Sequence, residues 1–264
     1  MRSGWMVLAL SALLAAVASA TPPNTRQRIQ SFRSLPNWSG LWQQVGVTPD
    51  ATGETVESAE ELRAGFLAHP PYNPEWEARA RELQGATADQ VVGHTTCTWG
   101  VPMVMVQSPL MFEALVTPEE TAMIFSGREI RHIYTDGRGH LSRDRLFPTH
   151  WGDSIGHWEG QVLVIETIAV DSPTIFEWDS AGGQLVGLFS DQVHYRERIT
   201  RVEKDLLQDE LTIIDPVSLT RPWTLTRQYH RVVNPYIDRM IHEDCEGRDR
   251  NPVVNGKITL QQPE

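Results

Sequence analysis

The sequence predicts a mainly β protein, folded as an antiparallel barrel or a strongly curved meander sheet. From Pro102 onward, short segments rich in β-branched and aromatic residues follow one another, with turn residues between them. Strands do not alternate with helical segments, and there is no glycine-rich phosphate loop, which argues against a nucleotide-binding parallel sheet. A meander of about eight strands protects its edges best by closing into a barrel.

Most of the predicted strands are joined by tight turns. The strands are predicted at 103–107, 110–116, 121–126, 129–134, 161–170, 192–202, 209–215 and 222–232. Turn residues connect several of them, for example at Lys204–Asp205. The exception is the long connection 135–160. Such connections are usually functional or disordered, and the tryptophans Trp151 and Trp158 within it argue against disorder.

The chain before these strands is less regular. Residues 21–36 are polar and contain proline, which predicts a flexible lead-in before a strand begins within 37–42. A capping box opens a predicted short helix at Ser58, and Asn73 followed by Pro74 opens a second one. The predicted organisation is a signal peptide at 1–20, the lead-in at 21–36, one barrel-like domain at 37–250 and a C-terminal tail at 251–264.

The first twenty residues predict export. Met1-Arg2 is a short basic start, an apolar run extends from Trp5 to Val17, and Ala18-Ser19-Ala20 has the small residues of a cleavage site. The apolar run is shorter than the ~20 residues of a membrane span. We therefore expect cleavage between Ala20 and Thr21 and a periplasmic or secreted mature protein without a membrane span. A retained N-terminal anchor is the alternative.

Charge and cysteine content restrict the possible partners. The chain of 264 residues has 23 Lys and Arg against 34 Asp and Glu, a formal net charge of −11, and its basic residues form no long run. A nucleic-acid partner is therefore not expected. In an oxidising compartment Cys97 and Cys245 are expected to form a disulfide, with two buried free thiols as the alternative.

The connection 135–160 concentrates residues that could carry chemistry. Four of the nine histidines lie in or beside it, at 132, 140, 150 and 157, interleaved with carboxylates. Histidine and carboxylate together can form an acid–base pair or bind a metal, but the spacing matches no established metal motif, and a purely structural loop is a further alternative. In the acid–base hypothesis, the base is His140, its orienting carboxylate is Asp144, the acid is Tyr134, and the substrate-binding residues are Arg138, Asp136, His150, Trp151 and Trp158.

Two strand residues are further catalytic candidates. Strand 161–170 is apolar on both faces, which predicts burial on both sides and places the ionisable Glu166 in an apolar environment. Burial would raise the pKa of this carboxyl, as a general acid or base requires, although an ion pair with Arg196, Arg198 or Arg227 is the alternative. His194, in strand 192–202, is a second candidate to point into a cavity.

Two stretches resemble a known family. Residues 131–140 (RHIYTDGRGH) and 148–160 (PTHWGDSIGHWEG) are similar to a family of exported bacterial proteins largely without assigned function, whose pattern is close to R-x-I-Y-T-D-G-R-x-H-P and then P-T-W-x-G-x-S-I-G-x-W-E-G. The likeness extends over most of 36–246. This chain departs from the pattern at Leu141, where the family has proline, and by the inserted His150. The resemblance implies export and fold more than mechanism.

A second resemblance concerns the start of the domain. The segment Ser39-Gly40-Leu41-Trp42 resembles the G-x-W opening of lipocalin-like (calycin) barrels, which implies a lipocalin-like fold. Barrels of about eight strands can hold one small ligand. The aromatic residues favour an aromatic or apolar one; they are Trp38, Trp42, Trp151, Trp158, Trp178, Trp223 and Tyr229.

Two functions are compatible with these features. The first is an exported, cofactor-independent enzyme, a lyase or isomerase, that transfers protons on a small aromatic or apolar compound; Glu166 or His194 would assist from the strands. The second is a non-catalytic periplasmic carrier of a small hydrophobic ligand, in which the same polar groups orient the ligand. A metal-dependent hydrolase would require three of the histidine and aspartate side chains near 135–160 to converge.

Overall fold

The computed structural model describes residues 25–44, 70–83, 100–101, 111–125, 129–171, 175–180, 183–233, 239–240, 253–254 and 257–258. The helices are α1 (Thr25–Ser34) and α2 (Pro74–Leu83). The strands are β1 (Leu41–Gln44), β2 (Met111–Val116), β3 (Glu120–Phe125), β4 (Glu129–Tyr134), β5 (Asp153–Glu159), β6 (Val162–Ile168), β7 (Ile175–Ser180), β8 (Gly183–Leu188), β9 (His194–Glu203), β10 (Leu206–Ile214), β11 (Trp223–Arg231), β12 (Val253–Val254) and β13 (Lys257–Ile258).

Nine strands close into a barrel, as the sequence predicts. Their order around the barrel is β1, β11, β10, β9, β6, β5, β4, β3 and β2, with β2 hydrogen-bonded back to β1. Two separate hairpins, β7–β8 and β12–β13, form small sheets of their own, the second within the predicted C-terminal tail. The expected fully antiparallel arrangement is wrong at one seam, because β4 and β5 run parallel.

The parallel seam explains the long connection. A strand that returns parallel to its neighbour must be carried back to the same end of the sheet, which takes a crossover of a dozen or more residues. Residues 135–152 make that crossover between Tyr134 and Asp153. The predicted connection 135–160 is therefore wrong in its second part, because that part contains a strand, β5. Its second part is β5, whose buried and half-buried positions carry Ser154 and Gly156 and so give a weak apolar alternation.

Alternation along the strands builds the interior. On β10 the residues Leu207, Leu211 and Ile213 are buried while their neighbours are half-buried or exposed, and β9 and β11 show the same period. Aromatic and aliphatic side chains of several barrel strands, together with Trp38 before β1, fill the core; they include Trp42, Phe112, Phe125, Ile133, Leu163, Tyr195 and Leu225. The barrel therefore has a packed interior, and polar groups at inward positions are removed from water.

The start of α2 is fixed by its cap. Asn73 Oδ1 accepts a hydrogen bond from the Trp76 amide at 3.1 Å, and Pro74 occupies the first helical position, where no amide donor is needed. The Asn73 side chain also donates to the Val217 carbonyl at 2.7 Å. Together with the bridge between Tyr72 and Leu219, these bonds attach the helix to the segment between β10 and β11.

A second attachment lies where β10 ends and β9 begins. Asp215 accepts hydrogen bonds from the amide and hydroxyl of Ser190, from the Val217 amide, and from the amide and hydroxyl of Ser218, at 2.6–3.2 Å. Burial alone would raise the pKa of this carboxyl, but the bonds from Ser218 and Ser190 hold it below its usual value. We call this group the Asp215 cluster.

The chain divides into two compact units, Met1–Ser34 and Leu35–Glu264. In the first, residues Thr25–Ser34 form helix α1, which lies within the predicted lead-in 21–36. Some predicted features lie outside the described residues: the signal peptide at 1–20 with its cleavage site, the helix opened by Ser58, the strand at 103–107, and Cys97 and Cys245.

Candidate functional site

Ionisable side chains occupy inward positions near the middle of the barrel wall. They belong to four strands: Arg131 on β4, Glu197 on β9, Asp209 on β10, and Arg227 and Tyr229 on β11. Each is at most 5% exposed to solvent. Charged residues are almost never this buried unless they are paired, so their position in an otherwise apolar core is unusual.

The first part of this cluster is joined by several hydrogen bonds between its side chains. Arg131 donates to both carboxylate oxygens of Glu197, at 2.7 and 2.6 Å, and to Thr167 Oγ1 at 2.9 Å. The hydroxyls of Thr167 and Ser154 are 2.8 Å apart. Burial alone would lower the pKa of Arg131, but the charge of Glu197 raises it above its usual value. We call these four residues the Arg131 network; its bidentate geometry is the strong form of an ion pair.

The second part is different. Asp209 is completely buried, and within the described residues neither of its carboxylate oxygens has a hydrogen-bond partner. Burial raises the pKa of Asp209 well above its usual value, and the nearby charge of Glu197 raises it further. A carboxyl in this environment favours its neutral, protonated form, in which it can donate a hydrogen bond as well as accept one.

Tyr229 lies beside Asp209 and, like it, is buried with an oxygen that lacks a hydrogen-bond partner among the described residues. The tyrosine is 3% exposed, and its hydroxyl has no hydrogen-bond partner among the described residues. Burial raises the pKa of this phenol well above its usual value, and the charge of Asp209 adds to the effect. Asp209 and Tyr229 are therefore both held towards their protonated forms. We call them the Asp209–Tyr229 pair.

Arg227 supplies a second buried guanidinium. It stands directly opposite Asp209 in the register of β10 and β11, and its Nη1 donates to the Thr226 carbonyl at 2.9 Å. Burial lowers the pKa of Arg227 to about 9, with the charges of Tyr229 and Asp209 acting in the opposite direction. The side chain therefore remains a cation at neutral pH, and it interacts electrostatically with both members of the pair.

A wall of aromatic rings extends from the pair towards the long connection. The Phe112 ring meets the Tyr229 ring edge-on with centroids 5.2 Å apart, and it lies 5.6 Å from Phe125. Phe125 in turn stacks on Trp151 at 5.5 Å. Trp151, a predicted binding residue, thus packs against the core, and its indole nitrogen donates to Glu129 at 3.2 Å. Aromatic rings therefore surround one side of the Asp209–Tyr229 pair.

The predicted base His140 has a different partner from the one expected. Its Nδ1 lies 2.9 Å from Asp153 Oδ2, which also accepts the Leu141 amide at 3.0 Å. Asp144 is exposed, and a hydrogen bond from Ser142 lowers its pKa. The expected pairing of His140 with Asp144 is therefore corrected to His140 with Asp153, because the first residue of β5 and not the loop supplies the carboxylate.

The other predicted loop residues do not gather around His140. Arg138 pairs with Asp136 at 2.6 Å, and its guanidinium lies over the Tyr134 ring, 4.1 Å from the centroid. The hydrogen bond from Arg138 lowers the pKa of Asp136. His150 is exposed, and its backbone carbonyl accepts the Val101 amide at 2.9 Å. These contacts hold the crossover together.

Trp158 packs at the interior. Its ring meets Trp38 edge-on at 5.3 Å, and its indole nitrogen is buried without a hydrogen-bond partner among the described residues. Trp158 thus belongs to β5 of the barrel, whereas the predicted binding residues Arg138, Asp136 and His150 are exposed on the crossover.

The two strand candidates face outward. Glu166 is exposed and pairs with Arg196 at 3.0 Å across the register of β6 and β9. His194, on the same face of β9 as Arg196, is also exposed. The expectation that these two side chains enter a cavity is therefore wrong, although on the same face of β6 as Glu166 the side chain of Val164 is buried and those of Val162 and Ile168 are half-buried. The ion-pair alternative for Glu166 is the arrangement present, because β6 contributes its other face to the interior.

No protein-family model matches the chain, and no curated protein matches it. In the described ranges no group of three His, Cys, Asp or Glu side chains is arranged to hold a metal ion. None of the helices described is long and apolar enough to cross a membrane.

Sequence reasoning missed the buried cluster, although its signal is present. Asp209 lies between the buried leucines Leu207 and Leu211 at a spacing of two, and Glu197 lies likewise between Tyr195 and Ile199. A charged residue in phase with the apolar positions of a strand points inward. Searching each strand for such residues would have found the cluster; a search for histidines in loops did not.

Proposed function

We propose that this protein binds a small aromatic or apolar compound inside the barrel and catalyses proton transfer on it, as a cofactor-independent lyase or isomerase. The observation that carries the proposal is Asp209, a completely buried carboxyl whose two oxygens lack hydrogen-bond partners within the described residues. Buried polar groups in folded proteins are nearly always paired, and exceptions are frequent at sites where a ligand or a reacting group completes the pairing.

The surroundings of Asp209 fit acid–base work. Burial raises the pKa of this carboxyl, which moves a carboxylic acid towards the range where it can give and take a proton near neutral pH. The Arg131 network supplies a fixed carboxylate, Glu197, whose charge is held by two hydrogen bonds. The negative charge of Glu197 raises the pKa of Asp209 further and so favours the protonated acid there.

The remaining features supply binding and location. The aromatic wall from Tyr229 to Trp151 suits the faces of a planar compound. The basic and apolar start of the sequence, its small-residue cleavage site and the resemblance to exported bacterial proteins support action in the periplasm or outside the cell. We therefore propose a lipocalin-like use of the barrel, with the ligand held in the interior and the chemistry carried out by inward side chains.

Proton transfer can be tested by exchange. The full mature protein is incubated in deuterated water with a panel of small aromatic ketones and acids, and loss of carbon-bound protons is followed by NMR. Asp209→Asn should lower the exchange rate by at least about a hundredfold, as expected when a general acid or base is removed. Glu210→Gln, an exposed neighbour on the same strand, is the matched control and should exchange at the wild-type rate. Equal exchange by Asp209→Asn and wild type would refute the role of Asp209.

A non-catalytic carrier is the second candidate. It is favoured by the position of the histidines, since none of those in the described part of the chain is buried. Histidine is the commonest acid–base residue near neutral pH, so an interior without it suits storage and transport. Retention of a panel compound in the barrel, measured by native mass spectrometry, together with no proton exchange for that compound would support this function.

A further inference from the structure

The Asp209–Tyr229 pair is close enough to act on one atom. In the register of β10 and β11, Asp209 faces Arg227 and Leu207 faces Tyr229, so the aspartate and the tyrosine are diagonal neighbours on the inner face. Diagonal neighbours in an antiparallel sheet have Cα atoms about 7–8 Å apart, within reach of aromatic and long side chains. An oxygen atom placed between the two side chains could therefore contact both.

Both side chains present oxygens that need a partner. The Tyr229 hydroxyl and the two Asp209 oxygens are buried, and none has a hydrogen-bond partner in the part of the chain that the structure describes. With Asp209 protonated, the pair offers two O–H donors side by side. A tyrosine and a protonated carboxylic acid are the donors that some isomerases aim at a substrate oxygen.

We propose that Asp209 and Tyr229 together donate hydrogen bonds to one oxygen of an aromatic ligand, either a carbonyl oxygen or a phenolate. This inference rests on the proposed function and adds the ligand's chemical class to it. The guanidinium groups of Arg131 and Arg227 interact electrostatically with both members of the pair, and positive charge there favours an oxygen that carries or develops negative charge. The Phe112 ring, edge-on to Tyr229, provides an aromatic surface beside that oxygen.

Two probes of nearly the same shape separate this inference from general binding. 4-Nitrophenol offers a phenolate oxygen, whereas 4-nitroanisole carries a methyl group on that oxygen. Each is titrated into the full mature protein at a pH where free 4-nitrophenol is largely ionised; the absorption band of the phenolate reports the first and quenching of tryptophan fluorescence reports the second. The wild type should bind 4-nitrophenol at least about tenfold more tightly than 4-nitroanisole, because the ether oxygen is a poorer and more hindered acceptor.

Variants of the pair should remove this preference. Tyr229→Phe and Asp209→Leu should each bring the two affinities within about threefold, while the affinity for 4-nitroanisole changes little. Asp209→Asn keeps a donor and should keep part of the preference. Tyr195→Phe removes another buried hydroxyl from the interior, on β9, and is the matched control that should retain the full preference.

The outcomes distinguish the inference from the function on which it rests. Equal binding of both probes by the wild type, or a preference that survives in both Tyr229→Phe and Asp209→Leu, overturns the inference and leaves the proposed function standing. If neither probe binds and the panel of aromatic compounds also fails to bind, then both proposals are overturned. Loss of the preference in folded Tyr229→Phe or Asp209→Leu supports the inference.

Discussion

Two buried aspartates near each other in sequence have opposite surroundings. Asp215, at the end of β10, is 2% exposed and accepts five hydrogen bonds from Ser190, Val217 and Ser218. Asp209, within β10, is 0% exposed and, among the described residues, accepts none. The pKa of the first is lowered by its donors despite burial, whereas the pKa of the second is raised by burial.

The difference separates a structural carboxylate from a functional candidate. The burial of Asp215 has a structural role, because its hydrogen bonds attach the segment between β10 and β11 to the start of β9. Asp209 accepts no hydrogen bond among the described residues, although the charges of Arg131 and Arg227 act on it. A buried carboxyl without hydrogen bonds destabilises the folded state. Such residues are typical of sites where a ligand or a reaction uses them. Glu197, the third buried carboxyl, belongs with Asp215, since Arg131 binds both of its oxygens.

The largest expected effect comes from breaking the Arg131 network. Glu197→Gln removes the carboxylate that pairs with the buried guanidinium of Arg131, which should lower the free energy of unfolding by about 3–5 kcal/mol. Urea denaturation of the wild type and the variant measures this. The double variant Arg131→Met, Glu197→Leu removes both charges and should recover most of the loss. A cost below about 1 kcal/mol for the single change would show that the pair is not structural.

Asp215→Ala should have the next largest effect. It removes the acceptor of five hydrogen bonds and leaves buried donors unpaired, which should cost about 3 kcal/mol at neutral pH. Because the folded-state pKa is lowered, this stabilisation is present above the unfolded-state pKa of ~3.9 and is lost as the pH falls through the folded-state value. The gap between wild type and variant in urea denaturation should therefore shrink in acid; a gap that is constant with pH would contradict the assignment.

Asp209→Asn should raise the free energy of unfolding at neutral pH, whereas Asp215→Ala should lower it. The folded-state pKa of Asp209 is raised, so the wild type loses stability as the pH rises from ~3.9 through the folded-state value, and the neutral amide does not. We expect the variant to be more stable than the wild type by about 1–2 kcal/mol at neutral pH and to lose this advantage near pH 4. Urea midpoints over this range measure it. A variant less stable than the wild type at neutral pH would place Asp209 with Asp215 as a structural residue.

The smallest effect is expected on the outer face. Glu166 and Arg196 form an exposed pair, and such pairs contribute little because water screens them. Glu166→Gln should change the free energy of unfolding by less than about 0.5 kcal/mol and should leave binding of aromatic probes unchanged. The same denaturation and titration experiments serve here. A change in probe affinity would contradict the outward position of Glu166 and would indicate that it contacts the ligand.

The sequence was informative where the signal is local. The strands β2, β3, β4, β9, β10 and β11 follow from runs of β-branched and aromatic residues between turn residues, and their number favours a closed barrel, which is present. The start of α2 at Pro74, with Asn73 as its cap, can be read from the two residues themselves. Local turn and capping chemistry depends on neighbours in sequence, so one sequence suffices for it.

The site was harder to predict because its members meet only in the folded barrel. Arg131 and Glu197 are far apart in sequence and bind across the interior, a contact that strand order and register determine. The parallel seam was also missed, and with it β5, since Gly156 and Ser154 give that strand little apolar periodicity. The clustered histidines made the connection 135–160 the predicted site. Its length follows instead from the parallel pairing of β4 and β5, which requires a crossover.

The most direct test of the difference between the buried carboxyls is infrared difference spectroscopy. Spectra of the wild type and Asp209→Asn are compared at neutral pH, with and without 4-nitrophenol. The account predicts a carbonyl stretch of a protonated carboxylic acid that is absent from the variant and shifts when the phenol binds. An Asp209 that gives carboxylate bands at neutral pH, or a carboxylic acid band that the bound phenol does not shift, would contradict the account.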